Sequence, residues 1–180
     1  PSLDVRPYFK RNYLYGEAMT HILGYVGRIN DRDVERLKKE EKFANYSGST
    51  DMGKLGIERY YEEQLHGTTG FEEVEINNRG KVIRKLREQP ATAGKSIHLT
   101  IDLALQRYIM SLLSGQKGAV VVLDPKDNSV LAMVSTPSYD NNLFVDGISA
   151  SDYKRLLNDP ARPLYRWDFA INSNFYLYET

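Results

Sequence analysis

Two tetrads in this sequence have a form that can activate a serine. Ser114-Gly115-Gln116-Lys117 and Ser151-Asp152-Tyr153-Lys154 each place a lysine three residues after a serine. On a helix that spacing puts both side chains on one face, where an unprotonated lysine amine can take the hydroxyl proton and leave a nucleophile. Acyl transfer built on Ser-x-x-Lys also needs a Ser-x-Asn segment and a Lys-Thr/Ser-Gly strand. Neither companion occurs intact in the 180 residues. Gly115 lies inside the first tetrad at an expected helix end, which spoils its geometry. Ser151 lies where a helix is expected to begin, so the second tetrad reads as a helix cap followed by a solvated lysine. No catalytic residue is assigned.

The other chemical patterns are weaker. Gly94-Lys95-Ser96 has the form of the end of a phosphate-binding loop, but Gln89 stands where that loop needs glycine, and no apolar strand precedes it. His21, His66 and His98 lack ligand spacing. Glu72, Glu73 and Glu75 read as strand-surface acids rather than paired catalytic carboxylates. Asn45-Tyr46-Ser47 matches a glycosylation sequon, a pattern too short to carry weight. No cofactor-binding or metal-binding residue is assigned. Tyrosines crowd the start (Tyr8, Tyr13, Tyr15, Tyr25) and suit either a partner surface or ordinary packing.

The totals narrow the classes. Lys+Arg and Asp+Glu both number 24, so no net charge argues for a nucleic-acid partner. The absence of cysteine removes disulfides, thiolate metal sites and cysteine nucleophiles together. No apolar run approaches the roughly 18 residues that span a bilayer; Ala119–Leu123 is as long as any. Pro1-Ser2-Leu3-Asp4-Val5-Arg6-Pro7 reads as mid-chain sequence, so an N-terminal part is expected beyond it.

Residues 1–29 suggest strands and loops. Asn30 is placed to cap a helix over Asp31–Lys42, with Asp31 and Asp33 at its positive end. A second helix is expected over Leu55–Leu65, with Ile57, Tyr60, Tyr61 and Leu65 on one face. Phe71–Leu86 reads as a hairpin turning at Asn78-Arg79-Gly80. Gln89–Gly94 is the linker candidate. Ile97 and Leu99 suggest a short strand. A helix capped by Thr100 or Asp102 carries the stripe Leu105, Tyr108, Ile109, Leu112, and Gly115 closes it. Ala119–Leu123 and Val130–Val134 form an apolar hairpin around Asp124–Asn128. Ser149 or Ser151 caps a last helix through Leu157.

Several blocks, in order, resemble the class B penicillin-binding proteins. They include Thr20–Val26, Gly53–Tyr61, Leu65–Gly70 and Val74–Arg84 in the non-catalytic pedestal. Leu99–Asp102, Val120–Pro125 and Val130–Ser135 resemble the start of the transpeptidase domain. Thr136–Asp140 and Asn142–Ser149 are similar to the penicillin-binding protein 2 subfamily in particular, with Asn141 where that family usually has proline. The resemblance covers about residues 1–165. It implies an α+β fold: a pedestal (dimerisation-type) subdomain over 1–90, a linker over 91–96, and an incomplete transpeptidase domain over 97–165. Residues 166–180 stay unassigned; either a join of separate pieces of a longer protein or a cloning tail accounts for them. The resemblance further implies that the parent is a serine-type D,D-transpeptidase. It would cross-link peptidoglycan stem peptides during elongation and be the target of β-lactams. An N-terminal helix would anchor it on the periplasmic face of the inner membrane, beside a SEDS-family glycan polymerase and an MreC-type scaffold. No cofactor is implied. The alternative reading is a non-catalytic interaction module of the elongation complex.

Overall fold

The computed structural model describes residues 10–161 and 164. Among the described residues, helices alternate with three two-stranded antiparallel ladders, an α+β arrangement. The N-terminal elements are α1 (Gly16–Leu23), β1 (Val26–Arg28), α2 (Asp31–Lys39), β2 (Asp51–Gly53), α3 (Gly56–Tyr60) and α4 (Glu62–His66). The hairpin β3 (Phe71–Ile76) and β4 (Val82–Gln89) follows. Helix α5 (Leu103–Leu112), strands β5 (Gly118–Leu123) and β6 (Val130–Thr136), and α6 (Ala150–Asn158) complete the order. The tyrosine at position 8 and the tail expectation for 166–180 lie outside the described residues.

Within the span expected as strands and loops, β1 is a strand and α1 is a helix instead. It buries Met19, Thr20 and Ile22, a spacing hidden between glycines and tyrosines. Gly24 ends it at φ 71°, in a left-handed conformation that side chains avoid. A Cβ there would lie 1.9 Å from the Leu55 carbonyl oxygen, so glycine is demanded twice over.

Helix α2 starts as expected. Asn30 accepts the Asp33 N–H at 3.0 Å, and Asp33 accepts the Asn30 N–H at 3.1 Å, a reciprocal cap. It stops at Lys39 rather than Lys42, because Glu41 turns left-handed (φ 58°) and Lys42 N–H closes back on the Leu37 carbonyl at 2.9 Å. Leu37 then meets Tyr46 and Met52 in the first small core.

The single helix expected over Leu55–Leu65 is two short ones, α3 and α4, broken at Tyr61. Strand β2 presses on the end of α3: a Cβ at Gly53 would lie 2.2 Å from the Glu58 carbonyl oxygen. The Glu62 carboxylate turns back to accept the Gly53 N–H at 2.8 Å. The expected apolar face is also corrected. Tyr60 is 81% exposed, and the buried position of α3 is Glu58.

The β3–β4 hairpin forms with two bulges and turns through Asn77, whose side chain accepts the Arg79 and Lys81 N–H groups at 2.9 and 3.0 Å. Its second strand runs to Gln89, and Thr92 pairs with Thr68 beyond it, so part of the linker candidate is tied down. The expected Ile97–Leu99 strand has no ladder. That stretch is tied to β6 by the Thr100 hydroxyl to the Val130 carbonyl (2.7 Å) and the Asp102 N–H to the Leu131 carbonyl (2.8 Å).

Asp102, not Thr100, caps α5 by accepting the Leu105 N–H at 3.0 Å. The inward face shares Leu105 and Ile109 with the expected stripe but takes Gln106 in place of Tyr108 and Leu112. Gln106 and Ile109 are buried, while Tyr108 and Leu112 are exposed. The Gln106 amide finds backbone partners inside, and this outweighs the simple apolar period. Ile109 packs with Ala132 and Val134 of β6 as the second core. Strands β5 and β6 pair antiparallel as expected, around a turn with Asn128 at φ 59°. Among the described residues this hairpin stays two-stranded, with α5 packed on it. Tyr139, Phe144 and Leu156 make a third core.

Candidate functional site

The two Ser-x-x-Lys tetrads lie at the ends of helices. Ser114 lies past the end of α5 in a turn with Gly115 at φ 74°, and the Lys117 ammonium donates to the Pro160 carbonyl at 3.0 Å. Ser151 lies in the first turn of α6, exposed, with its hydroxyl 2.9 Å from that of Ser149. The cap itself is Ser149, which accepts the Asp152 N–H at 3.0 Å.

The other patterns are also absorbed structurally. Gly94 is close-packed, since a Cβ there would lie 1.9 Å from the Leu65 carbonyl oxygen, and Lys95 N–H donates to Gln64. His21 contacts the Pro137 carbonyl, His66 meets Ser49 and stacks on Tyr46, and His98 is exposed. Asn45 of the sequon spends its amide inside the fold: Oδ1 accepts the Thr69 N–H at 2.7 Å and Nδ2 donates to the Gly67 carbonyl at 2.9 Å. Glu75 pairs with Arg84 at 2.6 Å, Glu72 pairs with Lys85, and Glu73 faces Arg87 across the ladder.

What the fold does build is a polar seam around α1. This helix touches α3 on one side and α5, β6 and the Asn141–Phe144 turn on the other. Thr20, fully buried, donates its hydroxyl to the Tyr139 carbonyl at 2.7 Å. Gln106 donates to the Ala18 carbonyl at 2.9 Å, and Ser138 to the Glu17 carbonyl at 2.7 Å. Asn141 donates to the Gly24 carbonyl at 2.7 Å. A proline at 141 would have no donor to offer, so this departure adds a bond across the seam.

Beside the seam lies a buried charge. Arg11 grips Glu58 with two nitrogens, at 2.8 Å to Oε1 and 2.9 Å to Oε2. The Tyr13 hydroxyl donates to the same carboxylate at 3.2 Å and accepts the Val26 N–H at 2.9 Å. Burial pushes the Glu58 carboxyl above its usual range, and Arg11 and Tyr13 only partly pull it back. Burial, and then the Glu58 charge, push the Tyr13 phenol far up, so it stays neutral. Tyr13 is therefore core rather than partner surface, whereas Tyr15 is half exposed. A sequence reading had no signal for Glu58, because nothing local marks an acid for burial.

Residues 1–99 match the family described as Penicillin-binding Protein dimerisation domain. Residues 118–164 match the Penicillin binding protein transpeptidase domain. The chain is 84% identical over 165 residues to the peptidoglycan D,D-transpeptidase MrdA of Haemophilus influenzae, covering 92% of this chain and 25% of that protein. It is 62% identical over 164 residues to MrdA of Escherichia coli K12, covering 91% and 26%. The chain thus spans about a quarter of the length of these curated relatives. Among solved structures, Pseudomonas aeruginosa PBP2 in complex with WCK 5153 matches with a TM-score of 0.68 at 42% identity, covering 91% of this chain and 30% of that one. The complex of PBP2 with MreC from Helicobacter pylori matches with a TM-score of 0.74 at 29% identity, covering 87% and 28%.

Proposed function

Since this chain belongs to the penicillin-binding proteins, we propose that it supplies the pedestal and the opening of the transpeptidase domain in a serine-type peptidoglycan D,D-transpeptidase. The division follows the sequence reading: pedestal over 1–90, linker over 91–96, start of the catalytic domain over 97–165. The parent protein cross-links stem peptides during elongation and is acylated by β-lactams. It works on the periplasmic face of the inner membrane, with an MreC-type scaffold and a SEDS-family polymerase as partners. The observation that carries this reading is the seam. Helix α1 belongs to the segment that resembles a pedestal, yet hydrogen-bonds through Thr20 and Ala18 to residues of the segment that resembles a transpeptidase. A bonded seam of this kind holds a catalytic domain at a set angle to its support. The MreC partnership is supported by the PBP2–MreC complex among the structural neighbours.

The role of these residues is therefore scaffolding, with the nucleophile elsewhere in the parent. A fluorescent penicillin tests this. The full-length protein is expected to take covalent label that survives denaturation and maps to a serine outside 1–165, and this chain alone is expected to take none. Label on Ser114 or Ser151 would overturn the assignment.

A further inference from the structure

Resting on that reading, we propose that Tyr13 is a positioning residue that couples the pedestal to the transpeptidase domain, with Glu58 on one side of it and Asn142 on the other. The motivation is a division within a single residue. The Tyr13 side chain belongs to the pedestal, where its hydroxyl joins Glu58 and the Val26 N–H at 3.2 and 2.9 Å. Its peptide belongs to the other half. The Tyr13 N–H donates to Asn142 Oδ1 at 2.9 Å, and Asn142 Nδ2 donates to the Tyr13 carbonyl at 3.0 Å. One amide side chain thereby holds both peptide groups of one residue, as a neighbouring strand would.

Asn142 is itself held. Asp140 Oδ1 accepts both its N–H and its Nδ2, each at 2.9 Å. The turn that carries it packs through Phe144 on Tyr139 and Leu156, and Phe144 stacks on Tyr25 at 4.0 Å. A shift of Tyr13 relative to this turn therefore has to move the third core as well.

The pedestal end of the linkage is costly to open. Glu58 is 6% exposed, and Arg11 and Tyr13 are the groups that hold its carboxylate. Withdrawing Arg11 strands a buried charge, so the grip resists opening. Displacing the Arg11–Tyr13 segment changes Glu58 and Asn142 together.

The test uses the full-length protein, and this chain contributes no cysteine to interfere with labelling. Spin labels are attached at Tyr60→Cys and Tyr108→Cys, two exposed sites in the two halves. Tyr13→Phe keeps the ring and the peptide clasp and removes the hydroxyl. Asn142→Ala removes the clasp. With unchanged folding, both variants are expected to broaden the inter-label distance distribution, the double variant no more than the stronger single one. Basal acylation by fluorescent penicillin is expected to stay within about two-fold. Its stimulation by the periplasmic part of an MreC-type scaffold is expected to fall about ten-fold. Wild-type distances and wild-type stimulation in both variants would overturn the coupling. So would a parallel fall of basal acylation, stimulation and melting temperature, which marks a merely structural residue. A wild-type protein that takes no penicillin label refutes the functional reading itself, and the distance arm then still reports on the linkage.

Discussion

The side chain of Gln106 pairs with the peptide of Met133 like a short strand, accepting its N–H at 2.8 Å and donating to its carbonyl at 2.8 Å. The same Nε2 also donates to the Ala18 carbonyl at 2.9 Å. One amide, 1% exposed, thus fastens α5 to β6 and to α1.

Gln106→Leu is close in volume but leaves these backbone groups unpaired in the interior. Each orphaned group costs about 1–3 kcal/mol. With the Met133 N–H and carbonyl both orphaned, a loss of roughly 2–6 kcal/mol is expected, read from the urea midpoint at constant slope. A change near zero would mean that water reaches these groups.

Two glycines separate conformational strain from collision. Gly24 and Gly80 share positive φ values of 71° and 74°, but a Cβ on Gly24 meets the Leu55 carbonyl oxygen at 1.9 Å, while one on Gly80 meets nothing within 4 Å. Gly80→Ala is expected to cost about 1 kcal/mol. Gly24→Ala adds overpacking and is expected to cost roughly 3 kcal/mol or more. Thermal melts of the pair check the order, and equal losses would contradict it.

Asp33 makes part of the stability depend on acid. Burial pushes its carboxyl up, but bonds from Lys54 and the Asn30 N–H outweigh this and hold it below 3.8. A depressed carboxylate stabilises the fold above its unfolded value and loses that contribution as pH falls through the folded one. The stability gap between wild type and Asp33→Asn should therefore be full at neutral pH and close on acidification below 3.8. A gap that ignores pH would assign the effect to packing.

Glu58 works with the opposite sign. Its raised carboxyl binds a proton more readily folded than unfolded, so its effect on stability turns unfavourable as pH rises past 4.5. Arg11→Ala removes a compensating charge and should widen that window toward neutral pH. Denaturation midpoints compared at acid and neutral pH would show the penalty growing with pH, and a constant penalty would argue against a buried carboxylate.

The β5–β6 hairpin leaves Val121 and Leu123 at 37% and 41% exposure. Apolar strands of this kind suit a sheet covered on both faces. If the parent supplies further strands, the outward-facing amides of β5 and β6 should exchange slowly in the full-length protein and quickly in this chain alone. Equal exchange rates in both would mean that the hairpin gains no partner.

Local chemistry made much of the order of elements legible. Asn30, Asp102 and Ser149 each cap a helix through a bond to a residue three positions on. The turns at Asn77–Lys81 and Asp124–Asn128 likewise close within a few residues. The blocks Thr20–Val26, Gly53–Tyr61, Leu65–Gly70 and Val74–Arg84 pointed to the family from residue types and order. Interactions this short in sequence are fixed by composition, because their partners are already neighbours in the unfolded chain.

The seam was not legible in the same way. Helix α1 was hidden, the α5 face was rotated by Gln106, and Tyr60 stood outside while Glu58 went in. Each of these outcomes rests on partners far along the chain, with Tyr13 and Asn142 separated by 129 positions and Thr20 and Tyr139 by 119. Burial of an acid or an amide is favourable only where a distant group satisfies it. Amino-acid types and spacing alone therefore determined the local elements and the kinship, and only the tertiary structure decided which polar side chains became the joint between the two halves.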